Sequence, residues 1–318
     1  MNSGGQSRVN NRQSINSNNQ QSTINRGQTV KIGIFVKPDR LDFARQLYEI
    51  VDWLTSRDCE VTADERLAAD FELQGVTICP AREIPGVADF IVVFGGDGTL
   101  LSVARLGDSR RAPILGVNLG TLGFLTGVTL DELYPALETI LAGRHRLDSR
   151  SMLKADVRQN GTREPVTFHA LNDVVVNKGA LGRMISLHVW INGDFTSSFL
   201  ADGMIVSTPT GSTAYSLSAG GPIVYPALDA ITLTPICPHT LTHRPLVIPA
   251  RGKVGIVLHS GEDVTLTIDG QVGVSLEVGA EVICTESDYR VDLIQPTERN
   301  FFEVLHQKLK WGDRWQRR

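Results

Sequence analysis

The chain has 318 residues, of which 42% are hydrophobic, 21% charged and 6% aromatic, and its formal net charge is −4. This composition is typical of a globular protein, and no apolar run reaches the roughly 18 residues that a membrane-spanning helix needs. A chain without net positive charge is not expected to bind nucleic acid, and neither a nucleic acid nor a membrane is a predicted partner. At about 150 residues per domain, the length predicts two domains.

The N-terminal segment, residues 1–29, is rich in Asn, Ser and Gln and holds few apolar side chains. Such a segment cannot bury enough surface to fold, so we predict a disordered tail. An organellar transit peptide is the alternative, because the segment contains Arg8, Arg12 and Arg26 and no acidic residue. The four cysteines lie far apart, and no hydrophobic secretory segment is found. We therefore expect reduced thiols and a cytoplasmic location.

Strands and helices are predicted to alternate from residue 30 to residue 146. Apolar runs of strand length lie at Val30–Val36, Cys59–Thr62, Phe90–Phe94 and Ile114–Val117. Apolar residues at helical spacing predict helices over Leu41–Leu54, Leu100–Leu106 and Leu130–Leu141. The alternation is typical of a parallel sheet covered by helices, so residues 30–146 are predicted to form an α/β domain with a Rossmann-like parallel sheet.

From residue 147 the pattern changes to short strands separated by Gly, Asn or Asp. Strands are predicted at Met152–Val157, Val166–Ala170, Val174–Asn177, Ile185–Trp190, Met204–Ser207, Val254–Leu258 and Val264–Ile268. Asn192-Gly193-Asp194 predicts a hairpin turn. Residues 147–295 are therefore expected to form an all-β, β-sandwich-like domain. Residues 296–318 include a predicted helix at Phe301–Leu309 and are expected to return to the first domain.

The sequence Gly95-Gly96-Asp97-Gly98-Thr99 directly follows the buried strand at Phe90–Phe94 and precedes a helix. In a parallel sheet this is the carboxyl end of a strand, where ligands bind, and glycines let backbone amides approach a phosphate closely. The loop lacks the Lys of a Walker loop, and its glycine spacing differs from the dinucleotide fingerprint. Taken alone, it is explained equally well as a Gly-rich turn with Asp97 as a helix cap.

Three further segments favour a binding crevice. Asn118–Leu125 is a second Gly-rich segment after the next strand, and adjacent parallel strands would place the two loops side by side. Asn172 and Asp173 supply an amide and a carboxylate able to bind an adenine edge and a ribose hydroxyl. Thr208–Pro222 combines many hydroxyl groups and glycines with Tyr215, whose ring offers a flat face for stacking. A solvated Ser/Thr loop is the alternative for this block.

These four motifs, in this order and at these separations, resemble the ATP-dependent NAD kinase family over roughly residues 30 to 310. The Thr208–Pro222 block is specific to that family, whereas Gly-Gly-Asp-Gly is shared with lipid kinases and phosphofructokinases. The resemblance implies phosphorylation of NAD by ATP at the 2′-hydroxyl of the adenosine ribose, giving NADP and ADP, with Mg²⁺ as the divalent cofactor. It also implies a crevice between the domains and a homodimer or homotetramer.

The resemblance also implies roles for individual residues. Asp97 matches the family's proposed general base for the ribose hydroxyl, and the sequence leaves open whether it holds the metal instead. By position, the NAD contacts would be Asp97, Gly98, Asn172, Asp173, Arg183, Asp202, Thr213, Ala214, Tyr215, Ser216, Leu217, Ser218 and Gln271. The ATP contacts would be Gly95, Gly96, Gly98, Thr99 and Asn118.

Two positions depart from the family pattern. Leu200 stands where some relatives have a basic residue, and Arg183 stands where others have His. The alternatives are a lipid kinase, a non-catalytic nucleotide sensor and an NAD-dependent oxidoreductase. A lipid kinase has no reason to keep the Thr208–Pro222 block, and a sensor would lose Asp97. An oxidoreductase would carry a Gly-x-Gly-x-x-Gly turn where Lys37 and its neighbours follow the first strand.

Overall fold

We analysed a computed structural model that describes residues 29–38, 40–106, 112–121, 123–159, 164–295 and 300–310. Residues 1–28 of the predicted tail lie outside the described residues. The first half of the chain contains β1 (Lys31–Val36), α1 (Ala44–Thr55), β2 (Glu60–Ala63), α2 (Glu65–Asp70), β3 (Val76–Ile78), α3 (Ile84–Val87), β4 (Phe90–Gly95), α4 (Asp97–Ala104), β5 (Ile114–Asn118), β6 (Val128–Thr129) and α5 (Leu133–Leu141).

The second half is built almost entirely from strands. They are β7 (Arg146–Arg158), β8 (Val166–Ala170), β9 (Asp173–Asn177), β10 (Ile185–Ile191), β11 (Asp194–Ala201), β12 (Gly203–Ser207), β13 (Ala230–Ile236), β14 (Leu246–Pro249), β15 (Val254–Ser260), β16 (Val264–Ile268), β17 (Val272–Leu276) and β18 (Glu281–Gln295). The second half also contains two short helices, α6 (Tyr215–Ser218) between β12 and β13 and α7 (Phe301–Leu309) after β18.

The first half forms the predicted α/β layer. Strands β3, β2, β1, β4 and β5 lie side by side in this order, and all their pairings are parallel. Apolar side chains of α1 and α5 pack on one face of the sheet, and those of α3 and α4 pack on the other. Because both faces are covered, the central strand β4 is buried at every residue, as its continuous apolar run predicts.

The second half forms the predicted all-β, sandwich-like part. A second sheet has the order β14-β13-β12-β9-β16-β17, with antiparallel pairings throughout. Its inward side chains, such as Val176 and Met204, pack against Leu187 and Ile256 of the facing sheet in one core. The predicted hairpin turn joins β10 to β11, and Asn192 and Gly193 both have positive φ, as a tight turn of this kind requires.

One sheet runs through both halves. β18 lies beside β5 with Leu293 opposite Ile114, and the sheet continues through β15 and β10 to β11. Over the described residues this sheet has 12 strands, including β7 and β8 beside β18. The boundaries predicted at residues 146 and 295 stay a prediction, because β18 pairs with strands of both halves.

The C-terminal helix α7 contacts the second half through its first two residues. The rings of Phe301 and Phe302 lie 5.5 and 5.8 Å from the ring of Tyr225. Its predicted return to the first domain stays a prediction. None of the helices in the described ranges is long and apolar enough to cross a membrane.

Candidate active site

Two cavities flank a single turn, residues 269–271, between β16 and β17. The first cavity, of about 410 Å³, is lined by Phe35, Lys37, Pro38, Arg66, Gly96, Gly98, Thr99, Ser102, Val103 and Gln271. The second, of about 200 Å³, is lined by Asn172, Asp173, Val175, Ala214, Tyr215, Thr267, Asp269 and Gly270. Gln271 faces the first cavity while Asp269 and Gly270 face the second, so this turn separates them.

The two Gly-rich segments meet as the sequence predicts. β4 and β5 are neighbours, with Gly95 opposite Asn118, so the two loops leave the same edge of the sheet. The Asp97 carboxylate at the start of α4 bridges them. Its Oδ2 accepts a hydrogen bond from the backbone N–H of Phe124 at 2.8 Å. Its Oδ1 accepts three, from the N–H of Leu125 at 3.1 Å and from the N–H and hydroxyl of Thr126 at 3.2 and 3.3 Å.

Close packing makes glycine necessary at two positions of this junction. A Cβ at Gly123 would overlap the Asp97 carboxylate and would lie 2.6 Å from the Thr126 hydroxyl. A Cβ at Gly95 would overlap the Thr99 side chain. Gly123 therefore lets the two loops approach each other closely, and Gly95 leaves room for Thr99 within its own loop. The predicted phosphate contact of Gly95 stays a prediction.

Asn118 organises the second loop from within. Its Oδ1 accepts from the N–H of Gly120 at 2.5 Å, and its Nδ2 donates to the carbonyl of Thr121 at 2.6 Å and to the hydroxyl of Thr126 at 3.0 Å. The residue is buried and lines neither cavity. Its predicted ATP contact stays a prediction, and the contacts that the structure shows are structural.

A chain of polar contacts links α4 to the turn between the cavities. Arg105, which follows α4, donates from Nη1 to Asp269 Oδ2 at 2.8 Å and from Nη2 to Gln271 Oε1 at 2.6 Å. Gln271 in turn donates to the carbonyl of Gly98 at 2.6 Å. The other partners of Asp269 are the backbone N–H groups of residues 171–173, at 2.8 to 3.2 Å. The predicted residues Gly98, Asn172 and Gln271 thereby belong to one network.

Asp173 is the described carboxyl group with the most altered ionisation. Burial, and secondly the nearby Asp269 carboxylate, raise the pKa of Asp173 to about 7. Its side chain lines the second cavity, next to Tyr215. A carboxyl group with such a pKa in a cavity is a typical feature of a ligand site.

The hydroxyl-rich block 208–222 is partly a structural support. Thr208 donates to the carbonyl of Leu171 at 2.6 Å, and Ser216, fully buried, shares a 2.9 Å hydrogen bond with Thr234. These hydroxyl contacts hold the block against residue 171 and against β13. By contrast Tyr215 is 42% exposed and forms a wall of the second cavity together with Ala214. The block is therefore neither a solvated loop nor uniformly a binding surface.

Several predicted contacts lie away from the two cavities. Arg183 is exposed in the loop before β10, and Asp202 pairs with Lys178 at 3.7 Å. Neither lines a cavity, and the same is true of Thr213, Ser216, Leu217 and Ser218. Their predicted roles toward NAD stay predictions.

Four residues at this crevice were missed by the sequence analysis as site residues. Lys37 and Arg66 line the first cavity, and Arg66 is oriented by a 3.0 Å hydrogen bond to the carbonyl of Val36. Arg105 and Asp269 form the link described above. Lys37 directly follows β1, and its position at the carboxyl end of a parallel strand could have indicated a site residue. The contacts of Arg105 span 164 and 166 residues of sequence, and no local pattern indicates them.

Fold and site together define a nucleotide-binding enzyme with its crevice between an α/β layer and a β-sandwich. A family model described as the ATP-NAD kinase N-terminal domain matches residues 32–145, and the ATP-NAD kinase C-terminal domain matches residues 171–296. The chain belongs to the ATP-NAD kinase family, as the resemblance of its motifs predicts. Its reaction is therefore the ATP-dependent phosphorylation of NAD.

Individual proteins of this family are similar to the chain over most of its length. The chain is 49% identical to the NAD kinase of Geobacter metallireducens and 50% identical to that of Geobacter sulfurreducens, in each case over 89% of this chain and 99% of the relative. The crystal structure of yeast NADH kinase complexed with NADH is similar with a TM-score of 0.84 and 29% identity, over 90% of this chain and 89% of the yeast chain. An NAD kinase from Archaeoglobus fulgidus in complex with ATP has the same fold, with a TM-score of 0.69 and 24% identity over 88% and 99% of the chains.

Proposed function

We propose that the first cavity binds ATP, that the second binds the adenosine part of NAD, and that the γ-phosphate moves to the ribose 2′-hydroxyl at the turn between them. The products are NADP and ADP. The observation that carries this proposal is the single turn that separates a basic, glycine-lined cavity from one lined by an amide, a carboxyl group and an aromatic ring. Phosphoryl transfer depends mainly on aligning the two substrates, which two cavities on either side of one turn can provide.

The first cavity has the chemistry of a polyphosphate site. Lys37 and Arg66 supply positive charge, and Gly96, Gly98 and Thr99 bring backbone close to the ligand. Local cations of this kind let a chain with a net charge of −4 bind a polyanion. The Archaeoglobus fulgidus relative was crystallised with ATP, which is consistent with a triphosphate here.

The second cavity has the chemistry of an adenosine site. The Tyr215 ring offers a face for stacking, and Asn172 and Asp173 supply a donor and acceptors for an adenine edge and ribose hydroxyls. The yeast relative was crystallised with NADH, a ligand that contains the same adenosine.

We assign Asp97 as the residue that accepts the proton of the 2′-hydroxyl. Its Oδ1 accepts three hydrogen bonds and its Oδ2 only one, so Oδ2 keeps the free acceptor capacity that a proton acceptor needs. The bonds to residues 124–126 fix the orientation of the carboxylate. Such a group contributes about 10²–10⁴-fold to the rate.

Mg²⁺ fits this site as a metal bound mainly by the phosphates of ATP. The described residues contain no cluster of three or more His, Cys, Asp or Glu side chains that could hold an ion. Mg²⁺ is commonly held by one or two carboxylates plus substrate phosphates, so a dedicated cluster is not required. Among the predicted site residues, Asp97 would hold the ion in the alternative to its role as proton acceptor. When bound, the ion would neutralise charge on the phosphates.

The proposed reaction is tested by incubating the purified protein with ATP, Mg²⁺ and NAD and by measuring NADP. Wild type should form NADP, and Asp97→Asn, which keeps the shape and removes the charge, should lower kcat by about 10²-fold or more. Asp52→Asn on the exposed side of α1 is the matched control and should behave as wild type. Absence of NADP with the wild type would refute the reaction, and an unchanged rate for Asp97→Asn would refute only its role as proton acceptor.

We further propose that the enzyme is a cytoplasmic homodimer or homotetramer. The four cysteines are all free thiols, which supports a reducing compartment. Light scattering during gel filtration measures the oligomeric state, and a monomeric mass at micromolar protein would contradict this proposal.

A further inference from the structure

One guanidinium links the end of α4 to the turn between the two cavities. Arg105 lies at the C-terminal end of α4, whose first turn holds Asp97 and Gly98. Its two Nη atoms donate to different residues of the turn between the cavities, Asp269 and Gln271. The side chain of Arg105 is 15% exposed and that of Asp269 is fully buried, so solvent does not screen this ion pair.

The two residues that Arg105 contacts are each hydrogen-bonded to residues beside the cavities. Through Gln271, the link returns to the carbonyl of Gly98, beside Asp97. Through Asp269, it reaches the backbone N–H groups of Asn172 and Asp173, beside the second cavity. Arg105 itself lines neither cavity. The residue is therefore placed to orient both substrate sites without touching either substrate.

We propose that Arg105 is a positioning residue that holds the turn of residues 269–271 against α4 and thereby sets the alignment of the ATP and NAD sites. The inference rests on the proposed function, since it takes the two cavities as the two substrate sites. Its consequence is kinetic. Loss of the contact releases Asp269 and Gln271 but leaves the other lining residues of each cavity in place. Both substrates therefore still bind, but the acceptor hydroxyl and the γ-phosphate are no longer aligned.

Misalignment has a specific chemical signature. In the aligned complex, the 2′-oxygen attacks the γ-phosphorus, the bond to the β–γ bridging oxygen breaks, and the hydroxyl proton leaves to a base. When the hydroxyl is displaced, water takes its place as the nucleophile, and ATP gives ADP and inorganic phosphate without NADP. The ratio of NADP to ADP formed therefore reports alignment, and a loss of folding stability alone does not change this ratio.

The experiment compares Arg105→Met, which keeps an unbranched apolar stem and removes the guanidinium, with Arg105→Lys and wild type. Arg45→Met is the matched control, because Arg45 is an exposed residue of α1 that lines neither cavity. For Arg105→Met we expect kcat to fall about 10- to 100-fold, both KM values to stay within about threefold, and the NADP:ADP ratio to fall below that of wild type. Lys can keep one of the two contacts but lacks the planar guanidinium. We therefore expect the kcat and the NADP:ADP ratio of Arg105→Lys to lie between those of Arg105→Met and wild type.

If Arg105→Met has the kcat, KM values and product ratio of wild type, the proposal is overturned. A rise of the KM for NAD alone, with kcat unchanged, would also overturn it, because Arg105 would then only shape the NAD site. Should Arg105→Met fail to fold, Arg105→Lys decides by the same readouts. A wild type that forms no NADP in this assay would refute the proposed function, and this result is distinct from a failure of the variant comparison.

Discussion

At the scale of single residues, Asp173 shows how a site residue reduces the stability of the fold. Burial and the Asp269 carboxylate raise the pKa of Asp173 to about 7, above the value of about 3.9 expected for an unfolded chain. Between these values the folded state holds a proton that the unfolded state has lost. The free energy of unfolding therefore falls as the pH rises from about 4 to 7, and above pH 7 the buried charge destabilises the protein.

Asp173→Asn should remove this effect. The amide keeps the size and polarity of the side chain without the charge, so the variant should melt a few degrees higher than wild type at pH 8. At pH 5, where Asp173 is already protonated in the folded state, the two should melt alike. Thermal denaturation at both pH values measures the difference, with Asp52→Asn as the control. An equal Tm difference at pH 5 and pH 8 would contradict the assignment.

At the scale of elements, the junction between α4 and the loop after β5 holds Asp97, the proton acceptor that we propose. A side chain at Gly123 would overlap Asp97, so Gly123→Ala should displace the carboxylate that we assign as proton acceptor. We expect kcat to fall at least about tenfold, because small displacements of a reacting group have large effects on rate.

The matched control for this variant is Gly86→Ala on α3. A Cβ at Gly86 has no neighbour within 4 Å, so the added methyl is accommodated and the kinetics should be those of wild type. Steady-state rates of NADP formation compare the two variants. A Gly123→Ala protein with wild-type kcat would show that the position of Asp97 does not depend on this glycine.

Some of the elements that the sequence analysis predicted have a pattern that follows from burial. β4 and β5 are apolar throughout because helices cover both faces of the sheet. β18 was missed because polar and acidic residues interrupt its apolar ones and because a bulge lies between Glu286 and Arg290. β11 was missed because most of its residues are exposed, which leaves no apolar alternation to detect.

Sequence motifs predicted the part of the site that is local in the chain. Asn172 and Tyr215 line the second cavity, and Asp97 lies between two residues that line the first. Each of the three lies in a motif that follows a strand, namely β8, β12 and β4. The sequence predicted that the two Gly-rich loops lie side by side, but it did not predict the hydrogen bonds of Asp97 to residues 124–126 or the partners of Arg105. These contacts join segments that are 27 to 166 residues apart, and only the three-dimensional fold brings them together.

At the scale of the whole molecule, the two halves share one sheet. β18 pairs with β5 of the α/β layer and with β15 of the sandwich, so the two halves are joined by backbone hydrogen bonds as well as by side chains. A hinge between rigid domains would not be expected to cross such a strand. The shared sheet therefore fixes the two halves relative to each other. The turn of residues 269–271 is held separately, in our proposal by Arg105.

The central claim is that ATP and NAD occupy different cavities on the two sides of residues 269–271. The most direct test is to measure the KM for ATP and the KM for NAD in Lys37→Met and in Tyr215→Ala. Loss of one charged contact or one stacking face should raise the affected KM about tenfold. We predict that Lys37→Met raises only the KM for ATP and that Tyr215→Ala raises only the KM for NAD. If both variants raise the same KM, or if the two effects are exchanged, the assignment of the cavities is wrong.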